Sequence, residues 1–378
     1  MHIGIDSRAL VDPLTGIGRY TLQLSKKLTN IPNPPFSFYS PSPLGVEIIQ
    51  SIKASNIKSA LCRNRIEKMV WFQKQLPYWA KKDNINLFWG PNHHLPRFLP
   101  KSIAKVVTIH DLVWKYAPQT MRPLSLFIEK RLMPDAIRMA DLVMADSHST
   151  ASGISEAFPE LSHKVRVVHL GVTVLPNSFN PQILLRLKIT KPYFLFVGTL
   201  EPRKNLDRLL CAFALLPESL RDQFSLVIAG GKGWGEVNLE RLIGKYQLND
   251  SVKVLGYVND QELASLYSNA KFLAMPSIYE GFGLPLLEAM QYGTPVLTSH
   301  EGSMAEVVGG CGMLVDPYSV ESISVGIQRM LRDDELIKAL GIKALRRSQD
   351  FSWEKCATET MAVFEEAIAL RDIRMSRS

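Results

Sequence analysis

Two glutamates, Glu280 and Glu288, stand eight positions apart in the segment 279–290, which reads Tyr-Glu-Gly-Phe-Gly-Leu-Pro-Leu-Leu-Glu-Ala-Met. The segment follows an apolar run and opens a predicted helix, in whose first turn Pro285 is favoured. Its glycines let the backbone approach a ligand, so the amides of the turn form an anion site at the helix start. These amides belong to Phe282, Gly283 and Leu284. We expect the two carboxylates to reach different parts of one phosphate-bearing ligand; the alternative is an exposed turn with two surface glutamates.

Two adjacent cations, Arg203 and Lys204, lie in a second segment, 198–205, which reads Gly-Thr-Leu-Glu-Pro-Arg-Lys-Asn. This segment also follows an apolar strand pattern, and it precedes a helix rich in Leu and Ala. Cations at the start of a helix oppose its dipole unless an anion lies between them. A diphosphate suits this arrangement, and we place Gly198 in the same predicted site. A solvated Arg-Lys turn is the alternative.

In the first half of the chain, the predicted strand 105–109 runs directly into His110 and Asp111. Polar residues at the end of a strand point towards the ligand edge of a parallel sheet. A histidine there can donate a hydrogen bond to a sugar hydroxyl, and the aspartate can orient it or take a proton. A purely structural histidine is the alternative.

Two further turns give weaker signals. Gly16 and Gly18 lie between the first strand and an amphipathic helix predicted over 17–28, where they permit contact with a phosphate or sugar. Tyr257 and Val258 follow another strand, and backbone groups there are predicted to bind a purine or pyrimidine base. A plain strand–turn–helix connection is the alternative for Tyr257 and Val258.

Short apolar runs alternate with helical patterns throughout the chain, which predicts parallel sheets covered by helices on both faces. The first half has predicted strands at His2–Ile5, Asn86–Trp89, Lys105–Ile109, Leu142–Ala145 and Val165–His169. The second half has predicted strands at Tyr193–Val197, Ser225–Ala229, Val252–Leu255, Phe272–Met275, Pro295–Thr298 and Met313–Val315. The prediction is an α/β fold of two doubly wound, Rossmann-like domains that face each other across a cleft, with ligands at the carboxyl ends of the strands.

The predicted domains are residues 1–175 and 193–352, joined by the linker 176–192, which carries three prolines including its last residue. From Ser319 onwards the pattern predicts three helices, which end near Arg332, Gln349 and Arg374.

Basic residues are concentrated in the first half. Residues 1–180 hold 22 Lys and Arg against 12 Asp and Glu, a net charge of +10, and the remainder holds 22 against 24, a net charge of −2. Between positions 60 and 82, lysines and arginines alternate with Trp, Phe and aliphatic residues at helical spacing, a pattern typical of an interfacial helix. A helix packed on its own domain is the alternative.

Composition and missing motifs exclude several classes. The 378 residues are 46% hydrophobic and 21% charged, as in ordinary globular proteins. Four cysteines without metal-ligand spacing give no disulfide framework or zinc site and favour a reducing cytoplasm. No secretory signal and no apolar run of about 18 residues is visible. The absence of a Walker A pattern, of a full G-x-G-x-x-G after the first strand and of any D-x-D argues against a P-loop NTPase, a Rossmann dehydrogenase and metal-bridged diphosphate chemistry.

Together these segments resemble glycosyltransferase family 4, whose members have the GT-B fold and retain the anomeric configuration of the sugar. The resemblance covers nearly the whole chain and rests on the order and spacing of its features. They are Gly16–Arg19, His110–Asp111, Ala145–Ser147, Gly198–Asn205, Gly256–Val258, Glu280–Glu288, Gly302–Glu306 and Phe351–Trp353.

The resemblance implies roles for the charged residues. Arg203 and Lys204 would hold the donor diphosphate, Glu280 would bind the transferred sugar near its reacting centre, and Glu288 would bind the ribose hydroxyls. His110 would contact the sugar from the first domain.

It also implies roles for the backbone. The amides of 282–284 would contact phosphate and sugar, and the loop with Gly16 and Gly18 would lie beside sugar and acceptor. The helix from Trp353 would pack back on the first domain. Many family members carry an arginine where this chain has Thr199, which leaves Arg203 as its substitute.

We therefore expect a retaining, metal-independent hexosyltransferase of polysaccharide or O-antigen-type synthesis, with GDP-mannose as the first candidate donor. UDP-glucose, UDP-galactose and UDP-N-acetylglucosamine stay open. The expected acceptor is a glycan or a polyprenyl-diphosphate-linked sugar. We expect the protein in the cytoplasm, with its basic first domain on the anionic inner face of the plasma membrane. No nucleic-acid partner is expected. Two alternatives are a GT-B sugar-nucleotide epimerase and a catalytically dead nucleotide-sugar-binding protein.

Overall fold

The computed structural model describes residues 1–11, 14–54, 56–175, 181–231, 233–234 and 238–376. Contacts divide the chain into two units. The first comprises Met1–Leu112, Leu124–Gly171 and Ser352–Ser378, and the second comprises Val113–Pro123 and Val172–Phe351. None of the helices in the described ranges combines the length and the apolar character that a bilayer crossing requires.

A seven-stranded parallel sheet forms the centre of the first unit. Its strands are β1 (Ile3–Asp6), β2 (Phe36–Ser40), β3 (Asn56–Ser59), β4 (Leu87–Gly90), β5 (Ala104–Ile109), β6 (Leu142–Ala145) and β7 (Val165–Val167). Their order is β3-β2-β1-β4-β5-β6-β7. The central strands are buried along their whole length, because helices cover both faces of such a sheet.

The helices of the first unit are α1 (Gly16–Leu28), α2 (Val46–Ser51), α3 (Arg65–Val70), α4 (Leu76–Lys82), α6 (Pro123–Met139), α7 (His148–Ala157) and α17 (Trp353–Ser376). A wider helical turn, Trp71–Gln75, joins α3 to α4 without a break. Short helical turns lie at Arg8–Leu10 and Pro159–Lys164.

The second unit is built on a six-stranded parallel sheet. Its strands are β8 (Tyr193–Val197), β9 (Ser225–Ala229), β10 (Val252–Gly256), β11 (Leu273–Met275), β12 (Val296–Ser299) and β13 (Met313–Val315). Their order is β10-β9-β8-β11-β12-β13. A core of Phe, Leu and Ile side chains, including the stacked rings of Phe194 and Phe272, joins this sheet to the helices Leu206–Ala214 and Val320–Arg332.

The helices of the second unit are α5 (Val113–Tyr116), α8 (Pro181–Arg186), α9 (Leu206–Ala214), α10 (Glu218–Gln223), α11 (Leu239–Lys245), α12 (Asp260–Asn269), α13 (Leu284–Met290), α14 (Met304–Val308), α15 (Val320–Arg332) and α16 (Asp334–Ser348). Short helical turns lie at Pro118–Thr120 and Pro202–Lys204.

The predicted α/β class with two doubly wound parallel sheets is confirmed. All predicted strands are present with small shifts at their ends, but β2 and β3 were missed. The strand β2 follows a proline-rich stretch that reads as a loop, and β3 (Asn-Ile-Lys-Ser) is a polar, half-buried edge strand.

The units differ in detail from the predicted domains. The segment Val113–Pro123 belongs to the second unit, because Val113 and Ala117 pack with Ile278 and Tyr279. Residues 176–180 of the predicted linker lie outside the described residues, and α8 occupies 181–186.

The last helix, α17, packs against α1 and β5 of the first unit. Its first residue, Trp353, is buried, and a side chain at Gly171 would place a Cβ 2.2 Å from the Trp353 backbone nitrogen. Along the helix, Phe364 contacts Trp89 with ring centroids 5.8 Å apart. These contacts attach the C-terminal segment beside the strands that carry the predicted histidine.

Candidate active site

Three charged side chains form one cluster in the second unit. Glu280 accepts a hydrogen bond from Lys204 Nζ at 2.6 Å through Oε1 and forms an ion pair with Arg203 through Oε2. Arg203 also donates to the carbonyl oxygen of Tyr279 at 3.0 Å. Glu280 and Lys204 are buried, so water screens these interactions little. The structure thus joins two segments that the sequence identified separately, and the alternative of an exposed Arg-Lys turn with a surface glutamate is wrong.

The cluster fixes the ionisation of Glu280. Burial alone would raise the pKa of its carboxyl, since a charged group loses hydration in the interior. The charges of Arg203 and Lys204 outweigh burial and lower the pKa of Glu280 to about 2. Glu280 is therefore a carboxylate at neutral pH, able to stabilise positive charge or act as a nucleophile but not to act as a general acid.

Backbone contacts hold the two segments together. The turn Pro202–Lys204 ends at Asn205, whose φ of 63° lies in the left-handed region that asparagine tolerates. The Asn205 side-chain amide donates to the carbonyl of Pro276 at 2.9 Å, and the amide of Ile278 donates to the carbonyl of Arg203 at the same distance. The loops after β8 and β11 are thereby joined, which keeps the cations and the glutamate in register.

Close packing of the backbone against Gly198 explains the glycine that follows β9. A Cβ on Gly230, which has a φ of 154°, would lie 1.9 Å from the carbonyl oxygen of Gly198. The Lys204 side chain passes over Gly198, since a Cβ there would lie 3.4 Å from Lys204 Cε. The predicted donor-site residue Gly198 therefore lies beside the charge cluster.

The second glutamate is also internal. Glu288, on α13, is buried and accepts a hydrogen bond from the Tyr267 hydroxyl at 2.9 Å. Burial raises the pKa of nearby Tyr292, and the charge of Glu288 adds to this effect. The alternative of a surface helix glutamate is wrong, while ribose binding by Glu288 stays a prediction.

The remaining predicted residues of this unit lie just before or at the start of helices. Gly283, with a φ of 94°, directly precedes α13, which begins at Leu284. Phe282 is buried and packs edge-on against Phe351, with centroids 5.8 Å apart. At the end of β10, Tyr257 is 77% exposed and Val258 is buried.

In the first unit, both ring nitrogens of buried His110 face oxygen acceptors. Nδ1 lies 2.5 Å from Asp146 Oδ2, and Nε2 lies 2.7 Å from the carbonyl oxygen of Pro91. A carbonyl oxygen only accepts, so Nε2 carries a proton. The ring of Tyr20 packs edge-on against His110 at 4.7 Å. The expected hydrogen bond from His110 to a sugar hydroxyl is therefore not open in this arrangement and requires the contact with Pro91 to break.

Three residues near His110, namely His93, His94 and Glu129, were not predicted from the sequence. Nε2 of His93 accepts from the His110 backbone amide at 3.2 Å. Nδ1 of His93 and Nε2 of His94 lie 3.6 Å and 3.5 Å from Glu129 Oε2. Burial would raise the pKa of Glu129, but the two histidines outweigh it and hold the pKa well below its usual range. Both histidines follow β4 as His110 follows β5, so the same strand-end signal was available for them.

The other predicted residues of the first unit have different surroundings. Asp111 is half-buried after β5. Gly18 is buried, and a Cβ there would lie 2.5 Å from the Ala9 carbonyl oxygen. Gly16, the first residue of α1, is exposed, and a Cβ there would meet no atom within 4 Å. Gly18 is thus required for packing, whereas Gly16 faces open space.

Two family models together match most of the chain. Residues 14–174 match the family described as Glycosyltransferase Family 4, and residues 185–347 match the family described as Glycosyl transferases group 1.

Individual relatives agree with the family models. The chain is 33% identical over 371 residues to O-antigen chain mannosyltransferase B of Escherichia coli, covering 93% of this chain and 96% of the relative. Among solved structures, it is similar to a sucrose-phosphate synthase from Thermosynechococcus elongatus, with a TM-score of 0.77, 22% identity, and coverage of 98% of this chain and 99% of the other. It is also similar to Anabaena Alr3699/HepE in complex with UDP-glucose, with a TM-score of 0.75, 18% identity, and coverage of 97% and 100%. These similarities identify the GT-B fold.

Proposed function

Because the chain belongs to glycosyltransferase family 4 and its second half matches the family model of Glycosyl transferases group 1, we propose that it transfers mannose from GDP-mannose. The acceptor in this proposal is a growing glycan or a lipid-linked sugar of O-antigen-type polysaccharide synthesis. The similarity to an O-antigen mannosyltransferase over nearly the whole of both chains supports the choice of sugar and process.

The cluster of Arg203, Lys204 and Glu280 carries the proposal. When the bond between the sugar C1 and the donor phosphate breaks, negative charge grows on the diphosphate and positive charge grows at C1. Two cations beside one ionised carboxylate provide preorganised partners for both charges. Glu280 can fill this role at any physiological pH because its pKa is about 2.

We favour attack on the face that the diphosphate leaves. The acceptor hydroxyl oxygen forms a bond to C1 as the bond from C1 to the phosphate oxygen breaks, so the anomeric configuration is retained. The departing phosphate oxygen takes the hydroxyl proton, and no side chain has to act as a general acid. We expect the reaction to be metal-independent, because Arg203 and Lys204 supply the positive charge that a divalent cation would otherwise bring to the diphosphate.

A transfer assay tests the proposal. The purified chain is incubated with an oligosaccharide acceptor and with GDP-mannose or one of the three candidate UDP sugars, with and without EDTA, and products are identified by mass spectrometry. We expect mannose transfer from GDP-mannose in both conditions. Lys204→Ala should lower turnover about 100-fold, whereas Lys245→Ala, which removes an exposed lysine of the same unit, should not. Near-normal activity of the Lys204 variant would contradict the assigned role, and an isomerised nucleotide sugar formed without acceptor would favour an epimerase.

We also propose that the first unit docks on an anionic membrane. Along α3 and α4, Ile66, Met69 and Tyr78 are more than 60% exposed, while Trp71 and Phe72 in the turn between these helices are buried. The exposed apolar side chains therefore agree with the predicted interfacial helix. The buried Trp71 and Phe72 agree with the alternative of a helix packed on its own unit. Exposed lysines and arginines beside exposed apolar residues favour binding to anionic lipid.

Vesicle flotation tests membrane docking. We expect the chain to float with vesicles that contain phosphatidylglycerol and to stay in solution with neutral phosphatidylcholine vesicles. Ile66→Ser should reduce flotation, and Ile342→Ser, at an exposed isoleucine of the second unit, should not. Complete recovery of the protein in the soluble fraction with anionic vesicles would refute docking.

A further inference from the structure

A groove of about 480 Å³ lies within the first unit, next to the ends of β1 and β4. Its walls come from α3 with the turn that follows it, from the loop after β4, and from α6. The apolar side chains that line it are Met69, Phe72, Leu95, Phe98, Leu132 and Met139. The volume is typical of small-molecule sites, which measure about 300–1,000 Å³.

Four cations also line this groove, and two of them are already compensated. Arg8 donates to Asp6 at 2.7–3.0 Å and lies over the ring of Phe72 at 3.5 Å. Arg97 is ion-paired with Asp135.

The other two cations are the exposed side chains of Arg65 and Lys68. Neither has an ion-pair partner in the part of the chain that the structure describes. They stand three positions apart on α3 and therefore share one face of the helix. The groove thus presents two uncompensated positive charges above apolar walls.

The two ends of the groove differ in exposure and in chemistry. Met69 and Phe98 are 62% and 66% exposed and form an apolar rim. The His94 side chain lines the groove but is only 14% exposed, and it contacts Glu129. The next histidine, His93, lies with its ring centroid 5.3 Å from that of His110. One end of the groove is therefore open and apolar, and the other reaches the buried histidine cluster.

We propose that this groove binds the lipid phosphate of the acceptor, an amphiphile in which a single hydrocarbon chain is joined to a sugar through phosphate or diphosphate. This inference rests on the proposed function. Arg65 and Lys68 match the charge of the phosphate group, and the apolar walls cover the first part of the hydrocarbon chain. The sugar beyond the phosphate then points towards His94. A free sugar would not cover the apolar rim, and a free phosphate would not contact the apolar walls.

Calorimetry with farnesyl diphosphate as the probe tests this assignment on the full chain, with inorganic diphosphate and farnesol as comparisons. We expect farnesyl diphosphate to bind more tightly than either comparison compound. The double variant Arg65→Ala, Lys68→Ala should weaken its binding about tenfold or more, and Phe98→Ala should also weaken it. The matched control Lys81→Ala, Lys82→Ala removes the same charge from α4 outside the groove and should leave binding unchanged.

Several outcomes would overturn the assignment. Equal binding of inorganic diphosphate would mean a simple anion site, and equal binding of farnesol would mean an apolar site. Flotation with anionic vesicles without any binding of farnesyl diphosphate would mean a membrane contact only. GDP binding to the same variants separates this inference from the proposed function, because GDP affinity should survive the Arg65, Lys68 change but fall in Lys204→Ala. Unchanged farnesyl diphosphate binding in the Arg65, Lys68 variant, with GDP binding intact, would refute the groove assignment and leave the proposed function standing.

Discussion

Replacing Glu280 with glutamine tests the charge cluster through the stability of the fold. The glutamine resembles the protonated glutamate in shape and removes the anionic partner that Arg203 and Lys204 share, which leaves Arg203 only the more distant Glu201 carboxylate at 3.7 Å. The pKa of Glu280 falls from 4.5 to about 2 on folding, and each unit corresponds to about 1.4 kcal/mol, so ionised Glu280 stabilises the folded state by about 3 kcal/mol. Glu280→Gln should lower the free energy of unfolding at pH 7 by about this amount.

The pH dependence of this loss is the sharper test. A carboxyl whose pKa is lowered on folding contributes its full stabilisation above the unfolded pKa of 4.5 and loses it as the pH falls towards about 2. Urea denaturation of both proteins between pH 7 and pH 2.5 should therefore show a difference that is constant above about pH 5 and shrinks below it. Glu335→Gln, at a site whose side chain is 89% exposed, should show no difference at any pH. A difference that does not change with pH, or no difference at pH 7, would mean that the charge of Glu280 does not stabilise the fold.

Two other substitutions test the backbone packing at Gly230 and the contact that orients the His110 ring. Gly230→Ala should destabilise the protein by about 3 kcal/mol or more because its Cβ would collide with the Gly198 carbonyl, whereas Gly231→Ala, where a Cβ meets no atom within 4 Å, should stay within about 0.5 kcal/mol of wild type in thermal unfolding. Asp146→Asn should lower the rate of transfer about tenfold by weakening the hold on the His110 ring, with GDP affinity unchanged; a normal rate would mean that this contact does not serve catalysis.

The sequence predicted the sheets well where buried strands form apolar runs, whereas the buried strand β2 was missed because it follows a proline-rich stretch. The strands β6 and β8 are uninterrupted apolar runs that end before Asp146 and Gly198, because helices cover both sides of a parallel sheet. The edge strand β3 has no such run, since only part of it is buried.

The sequence identified the segments that form the candidate site but not the contacts between them. The loops with Lys204 and Glu280 were identified by their position after strands, yet 76 positions separate these two residues in the chain. No local pattern indicates that the glutamate accepts from the lysine, because the pairing follows from the neighbouring positions of β8 and β11 in the sheet. The burial of both His110 nitrogens was likewise invisible, since Asp146 and Pro91 approach the ring only through the fold.

A crystal structure with bound GDP-mannose would show whether the charge cluster holds the donor. We expect the donor diphosphate within hydrogen-bond distance, about 2.7–2.9 Å, of Lys204 Nζ and the Arg203 guanidinium, with the mannose beside the Glu280 carboxylate. A diphosphate bound elsewhere, with Glu280 still holding both cations and no contact to the donor, would contradict this expectation.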